Sequence, residues 1–278
     1  MPASFIVVPQ WQGSGSSRAM RLIDGCDAIG GDLPGAATVT VTVPSGAGSS
    51  LGTGVQRLSA VHQVRDALTI ALEAADDLPI VIGGDCGVEL ASIAHAASTA
   101  DVAVVWLDAH PDLNTPESSP SGAFHGMVLR TLLGDGAPEL VPPTALKADR
   151  VILAGTRALD DAESDFAESA GITTLAPGDL TPEALTAALR ATGATSVYLH
   201  VDLDVLDPAE FDCVTYPEPF GITTQALLEL IAAARATLPL AGAAITEFAP
   251  ASPDSASESM STILRVVGAL TKAAPPIA

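Results

Sequence analysis

Six consecutive residues, Val-Ala-Val-Val-Trp-Leu at Val102–Leu107, are apolar without a polar break. A strand with one wet face alternates apolar and polar side chains, because successive side chains point to opposite faces. A run without alternation buries both faces, as in a parallel sheet with helices packed on each side. Similar short, β-rich runs recur at 5–8, 38–43, 78–82, 150–154, 196–201 and 242–246. Between them lie longer stretches with apolar residues at helical spacing, at 55–75, 88–97, 125–133, 182–191 and 224–238; a closing helix is expected at 257–272. Thr181-Pro182-Glu183 reads as an N-cap followed by proline at the first helical position. The Gly-, Ser- and Pro-rich stretches 44–53 and 113–122 read as loops. Strand–helix alternation predicts an α/β fold. No internal repeat and no dividing linker is visible, so residues 1–278 read as one domain. On pattern alone, a (β/α)8 barrel rivals an open sheet covered on both faces.

Composition narrows the partners. The 278 residues include 12 Lys and Arg against 33 Asp and Glu, a net charge of −21. No basic stripe exists to neutralise phosphates, which excludes nucleic-acid binding and disfavours an anionic membrane surface. With 48% hydrophobic and 16% charged residues, the chain has enough apolar material for a core and does not read as disordered. Its apolar runs fall far short of the ~20 residues a membrane span needs. The opening residues, MPASFIVVPQWQ, lack the basic start of a signal peptide. Three cysteines, Cys26, Cys86 and Cys213, are too few for a disulfide framework. A soluble, cytoplasmic protein with a small-molecule substrate is the expectation.

The polar residues carry more information by position than by number. Run 78–82 leads into Gly83-Gly84-Asp85-Cys86, and run 102–107 into Asp108-Ala109-His110-Pro111-Asp112. Run 196–201 ends in Asp202-Leu203-Asp204, and run 242–246 in Glu247. Four strands therefore deliver acids, a histidine and a thiol at their C-terminal ends, the edge where parallel sheets bind ligands. Asp108, His110 and Asp112 alternate with other residues, as do Asp202 and Asp204, so an extended backbone points each set one way. Gathering so many carboxylates is costly through desolvation and repulsion. Two divalent metal ions would offset that cost, whereas 12 basic residues are too few to pair every acid. A carboxylate-rich set with one imidazole suits Mn2+ better than zinc, and two such ions can share and activate a water.

These residues resemble the ureohydrolase family, which includes arginases, agmatinases and formiminoglutamases. The resemblance rests on GGDCG at 83–87, WLDAHPDLN at 106–114, His125-Gly126, HVDLDVLDP at 200–208 and Glu247, in the family's order. It implies a three-layer αβα sandwich with a mainly parallel, eight-stranded sheet, which displaces the barrel. It also implies two Mn2+ ions, bridged by Asp108 and Asp202. His110 and Asp204 would complete one site, and Asp112 and Cys86 the other. His125 would carry a proton to the leaving amine, and Glu247 would hold the guanidinium carbon near a metal-bridging hydroxide. Within the family the chain is arginase-like. Asn114 and Ser121 match the loop that reads a substrate α-carboxylate, Asp160 and Glu163 match acids for its α-ammonium, and Thr223 matches a threonine of the guanidinium pocket. The rival reading makes Asn114 and Ser121 turn residues and Asp160 a helix cap. The family forms trimers and hexamers, so a homo-oligomer is one expectation, although the tail Ala274-Pro275-Pro276-Ile277-Ala278 shows no interlocking segment.

The chain departs from the family at Cys86, where the family has histidine, and at His200, where it usually has a small hydroxyl residue. A thiol ionises on a metal and is a softer ligand than imidazole. Three readings of Cys86 compete: a non-catalytic metal-binding pseudoenzyme, an ordinary arginase that tolerates cysteine, and a site adapted to a modified guanidine. The third is chemically motivated. The N–OH of Nω-hydroxy-L-arginine can occupy the metal-bridging position and would inhibit a standard arginase. A thiolate would weaken that hold and let hydrolysis to hydroxyurea and L-ornithine proceed. In this the chain resembles the family branch that serves D-cycloserine-type antibiotic biosynthesis. His200 alternates with Asp202 and reads either as a group beside the metals or as a packed histidine. Cys26 and Cys213 read as structural thiols, His62 and His95 as helix-face residues, and Asp85 as a cap or an orienting group.

Overall fold

A computed structural model describes residues 2–272, so the proline-rich tail lies outside the described residues. All six residues of β4 (Val102–Leu107) are buried. Ala103, Val105 and Leu107 pack into one apolar cluster, while Val102, Val104 and Trp106 pack into another on the opposite face. The unbroken apolar run is thus divided residue by residue between two cores, as two-faced burial requires.

The other strands are β1 (Ala3–Val8), β2 (Thr38–Thr40), β3 (Leu78–Gly83), β5 (Val151–Ala154), β6 (Thr173–Leu175), β7 (Ser196–Asp202) and β8 (Leu240–Thr246). They form one sheet in the order β2-β1-β3-β8-β7-β4-β5-β6. Every pairing is parallel. The sheet is open, with β2 and β6 at its edges, so the barrel is excluded. Helices α1 (Arg21–Asp32), α6 (Pro182–Thr192), α7 (Thr224–Thr237) and α8 (Pro253–Thr271) cover one face. Helices α2 (Leu58–Glu73), α3 (Glu89–Thr99), α4 (Val128–Leu132) and α5 (Asp161–Ser169) lie over the other. No helix among the described residues is long and apolar enough to cross a membrane.

Differences from the sequence expectations have local causes. β6 is three residues long and mostly exposed, so it carries no apolar signature. α1 contains Gly25 and Gly30 and reads as a poor helix former. Gly25 is required there: an added Cβ would lie 1.9 Å from the Phe248 carbonyl oxygen. The expected helix 125–133 is instead a 3-10 turn, Phe124–Met127, leading into the short α4. α8 begins earlier than expected because Ser252 and Ser255 cap it reciprocally.

Candidate metal centre and active site

Strands β3, β8, β7 and β4 are consecutive in the sheet order. They are the four strands whose C-terminal ends carry Cys86, Glu247, Asp202 with Asp204, and Asp108 with His110 and Asp112. Register holds the ends level: Leu107 pairs with Val201, and Asp202 with Thr246. Residues up to 161 positions apart in the chain meet in one basin.

Each donor is fixed by the backbone around it. Gly84 lets the β3 turn pass under the N-terminal segment, since a Cβ there would lie 1.7 Å from the Gln10 carbonyl oxygen. Asp85 caps the following 3-10 turn by accepting from Gly87 N, and also accepts from Gln10 Nε2 at 2.7 Å and Gly13 N at 2.8 Å. It orients the turn that carries Cys86. The Cys86 thiol donates to Asp202 Oδ2 at 3.0 Å. Asp108 accepts from His110 N at 2.6 Å and Trp106 Nε1 at 3.0 Å. Asp204 accepts from Ala109 N at 3.1 Å, and its Oδ2 lies 3.0 Å from His110 Nδ1. Asp204 N donates to Asp202 Oδ1 at 2.8 Å. Asp112 and Glu247 both sit at positive φ, 50° and 65°, a conformation held only where surroundings impose it.

The electrostatics of the basin call for cations. Burial, then neighbouring acids, pushes the carboxyls of Asp202 and Asp112 well above the usual range, and Asp204 upward as well. Burial also drives Glu247 upward, against the Thr215 hydrogen bond that lowers it. Burial raises the Cys86 thiol, and Asp202 raises it further. Burial opposes ionisation of Asp108 too, but hydrogen bonds from His110 and His200 outweigh it and bring it below its ordinary value. For His110, burial is outweighed by Asp204 and Asp108, which raise it. Buried polar atoms are normally satisfied, yet Asp112 Oδ2 and Glu247 Oε1 are buried without a hydrogen-bond partner.

Two donor sets stand at metal-binding spacing: Cys86, Asp108, His200 and Asp202, and Asp108, His110 and Asp204. Within each set the ligand atoms lie within 4.8 Å of one another. Thiol, imidazole and carboxylate donors suit divalent transition ions. With the unpartnered carboxylate oxygens, they fit a two-metal site. Asp112 stands in neither set, although it is buried and coupled by repulsion to Asp108.

The remaining predicted residues spread around this centre. His125 stacks on Tyr216, with ring centroids 5.1 Å apart, and its Nδ1 is 4.0 Å from Glu247 Oε1. Burial, then His110, brings His125 down to about 4. Asn114 Nδ2 donates to Asp160 Oδ2 at 2.9 Å, joining the two proposed ends of an amino-acid subsite. Asp160 also caps α5 in a reciprocal box with Glu163, as the cap reading of that residue expects. Glu163 accepts from Leu113 N and Asp160 N with its two oxygens, so it braces the loop. Ser121 is exposed, and its hydroxyl accepts from Ala123 N. Thr223 is exposed at the start of α7, and its hydroxyl caps that helix by accepting from Ala226 N. The hydroxyl that meets Glu247 belongs to Thr215, which donates to Oε2. Arg157 donates to the carbonyls of Asp204, Glu218 and Pro219, pinning the loop that carries Thr215 and Tyr216.

Sequence reading missed Thr215, Tyr216 and Glu89. The first two lie in a loop without periodicity, which gave no signal. Glu89 is fully buried at the start of α3 and accepts from Tyr198 Oη at 2.6 Å and His200 Nδ1 at 2.7 Å. Its partners were legible, because Tyr198, His200 and Asp202 alternate along β7. Burial lowers the His200 imidazole, but hydrogen bonds to Asp108 and Glu89 outweigh it and raise it to about 9.

An open parallel sheet with a carboxylate-rich basin at its central strand ends defines a metallohydrolase-like α/β protein. The chain matches the Arginase family over residues 26–271. It is 31% identical over 224 residues to an N(omega)-hydroxy-L-arginine amidinohydrolase of Streptomyces lavendulae, covering 75% of this chain and 77% of that protein. It is 33% identical over 183 residues to an arginase of Bacillus caldovelox, covering 61% of each. The chain thus spans under two thirds of the length of that arginase, and 47% of a Staphylococcus aureus arginase. Among solved structures, an Entamoeba histolytica arginase in complex with L-ornithine matches with TM-score 0.85 and 25% identity, covering 98% of both chains. The chain belongs to the arginase family.

Proposed function

We propose that this protein is a two-manganese amidinohydrolase acting on the guanidino group of an arginine-like amino acid, with Nω-hydroxy-L-arginine as substrate and hydroxyurea and L-ornithine as products. The observation that carries it is Cys86: a thiol stands 3.0 Å from Asp202, in a donor set with Asp108 and His200. Asp108, His110, Asp112, Asp202, Asp204 and Cys86 would hold the ions. When bound, two divalent ions supply an activated water and positive charge beside the scissile carbon. Glu247 Oε1, buried without a partner, accepts from a guanidinium N–H and sets the carbon in place, while Thr215 fixes the other carboxylate oxygen. His125, stacked on Tyr216 beside Glu247, passes a proton to the departing amine as the bond between that nitrogen and the guanidino carbon breaks. Asn114 and Asp160, with Ser121 and Glu163 nearby in the fold, receive the α-amino-acid end.

The second reading, an ordinary arginase, has support in the relatives that carry that name. A paired assay separates them. Mn2+-loaded protein is given L-arginine and Nω-hydroxy-L-arginine in parallel, and a higher kcat/KM for arginine refutes the hydroxyarginine reading. Cys86→His is expected to move preference towards arginine; an unchanged ratio removes Cys86 as its cause. Absence of turnover with either substrate, with less than one divalent ion per chain, would point to a pseudoenzyme.

A further inference from the structure

His200 has a completely buried ring with a partner on each nitrogen. Nδ1 lies 2.7 Å from Glu89 Oε1, and Glu89 is held on its other oxygen by Tyr198 Oη at 2.6 Å. Trp106 stacks on the ring, with centroids 3.7 Å apart, so the imidazole can neither tilt nor turn away. A carboxylate that takes the Nδ1 proton fixes the ring's orientation and turns Nε2 to the opposite side. That side faces Asp108 Oδ2 at 3.3 Å, within the set that also holds Cys86 and Asp202. Between that nitrogen and the carboxylate stands either the Nε2 proton, donated to Asp108, or an ion that takes its place. Carboxylate, imidazole and metal in series is the arrangement by which proteins orient a ligating histidine.

We propose that His200 is itself a metal ligand: with Cys86, Asp108 and Asp202 it forms the deeper of the two metal positions, with Glu89 and Tyr198 holding its ring. The imidazole absent at position 86 is thus supplied from position 200, two residues before Asp202 on the same face of β7. On ion binding, the Nε2 proton and the Cys86 thiol proton leave to solvent, and the ion takes their place. Thiolate and imidazole together make this the softer of the two positions. The inference rests on the two-metal reading above and adds a ligand to it.

The test uses the whole protein labelled with 15N-histidine and loaded with 113Cd2+, read by NMR together with the cadmium content per chain. The expected result is two ions per chain. One cadmium resonance is split by the His200 nitrogen and shifted as a thiolate complex; the other is split by His110. His110→Asn and His200→Asn assign the two couplings. Two ions per chain with His200 Nε2 still protonated and uncoupled would overturn the inference and leave the two-metal reading standing. A single ion coupled to His200 would sink the two-metal reading and sustain the inference; a single ion coupled only to His110, or no bound ion, would sink both. Glu89→Gln keeps the shape of the buried side chain and serves if His200→Asn does not fold. It is expected to weaken cadmium binding at the thiolate position by about 10- to 100-fold and to leave the His110 position unchanged. Equal weakening at both positions would mark a general structural effect and count against the assignment.

Discussion

Removing metal should reverse the pH dependence of this protein's stability. The basin gathers two donor sets, so two ions bound there would stabilise the folded chain by mass action. At an ion concentration about 100-fold above Kd, each contributes about 2.7 kcal/mol, or about 5 kcal/mol together. For 278 residues, 1 kcal/mol moves Tm by about 2 °C, so saturating Mn2+ should raise Tm by about 10 °C over chelator-treated protein. Without ions, Asp112, Asp202 and Glu247 are pushed well above their ordinary pKa, chiefly by burial. The folded state then holds more protons than the unfolded one, so stability falls as pH rises towards the folded values. His200, raised to about 9 against burial by Asp108 and Glu89, acts in the same direction. His125, lowered to about 4 by burial, has the opposite sign, but only below its unfolded value. The comparison therefore runs from pH 6.5 to 8.5 by calorimetry. Ion-free protein should lose Tm across that range, and Mn2+-loaded protein should hold or gain it. A manganese shift below about 2 °C, or ion-free stability that rises with pH, would refute the electrostatic reasoning.

Other outcomes follow from single contacts. His125→Asn should lower kcat by about 10²- to 10⁴-fold with two manganese ions per chain retained; loss of an ion would assign His125 to metal binding instead. Asp160→Ser keeps a capping side chain on α5, so it should raise KM for the amino-acid substrate with little change in Tm, whereas Asp160→Ala should also lose about 1 kcal/mol of stability. Equal KM values for Asp160→Ser and wild type would leave Asp160 as a cap only. Gly84→Ala would force the β3 turn away from Gln10 and should lower stability by about 1–3 kcal/mol, seen as a lower Tm together with weaker metal retention at Cys86.

Much of the metal centre was legible because it is made of strand ends. Two-faced burial makes β4 an unbroken apolar run and buries every residue of β7, so the acids at their C-terminal ends stand out. Residues outside that pattern were harder to place. Asp160 and Glu163 form the reciprocal cap that opens α5. The spacing of an aspartate and a glutamate three residues apart is a helix-start signal, in line with the reading of Asp160 as a helix cap. Thr223 was matched by sequence position to a pocket threonine, whereas the chain path brings Thr215 to Glu247. A loop hydroxyl has no period, so only the fold decides which one arrives.

The sequence alone determined that the chain forms a parallel sheet covered on both faces and that acids, a thiol and a histidine end its strands. Those are local properties, set by which side chains must avoid water and how often they recur. Only the tertiary structure decided that β3, β8, β7 and β4 lie side by side, because neighbour order in a sheet depends on crossovers between distant segments. It alone paired Glu89 with His200 across 111 residues. A buried imidazole needs partners on both nitrogens, and whether those are solvent, a carboxylate or an ion depends on what the folded chain brings within about 3 Å.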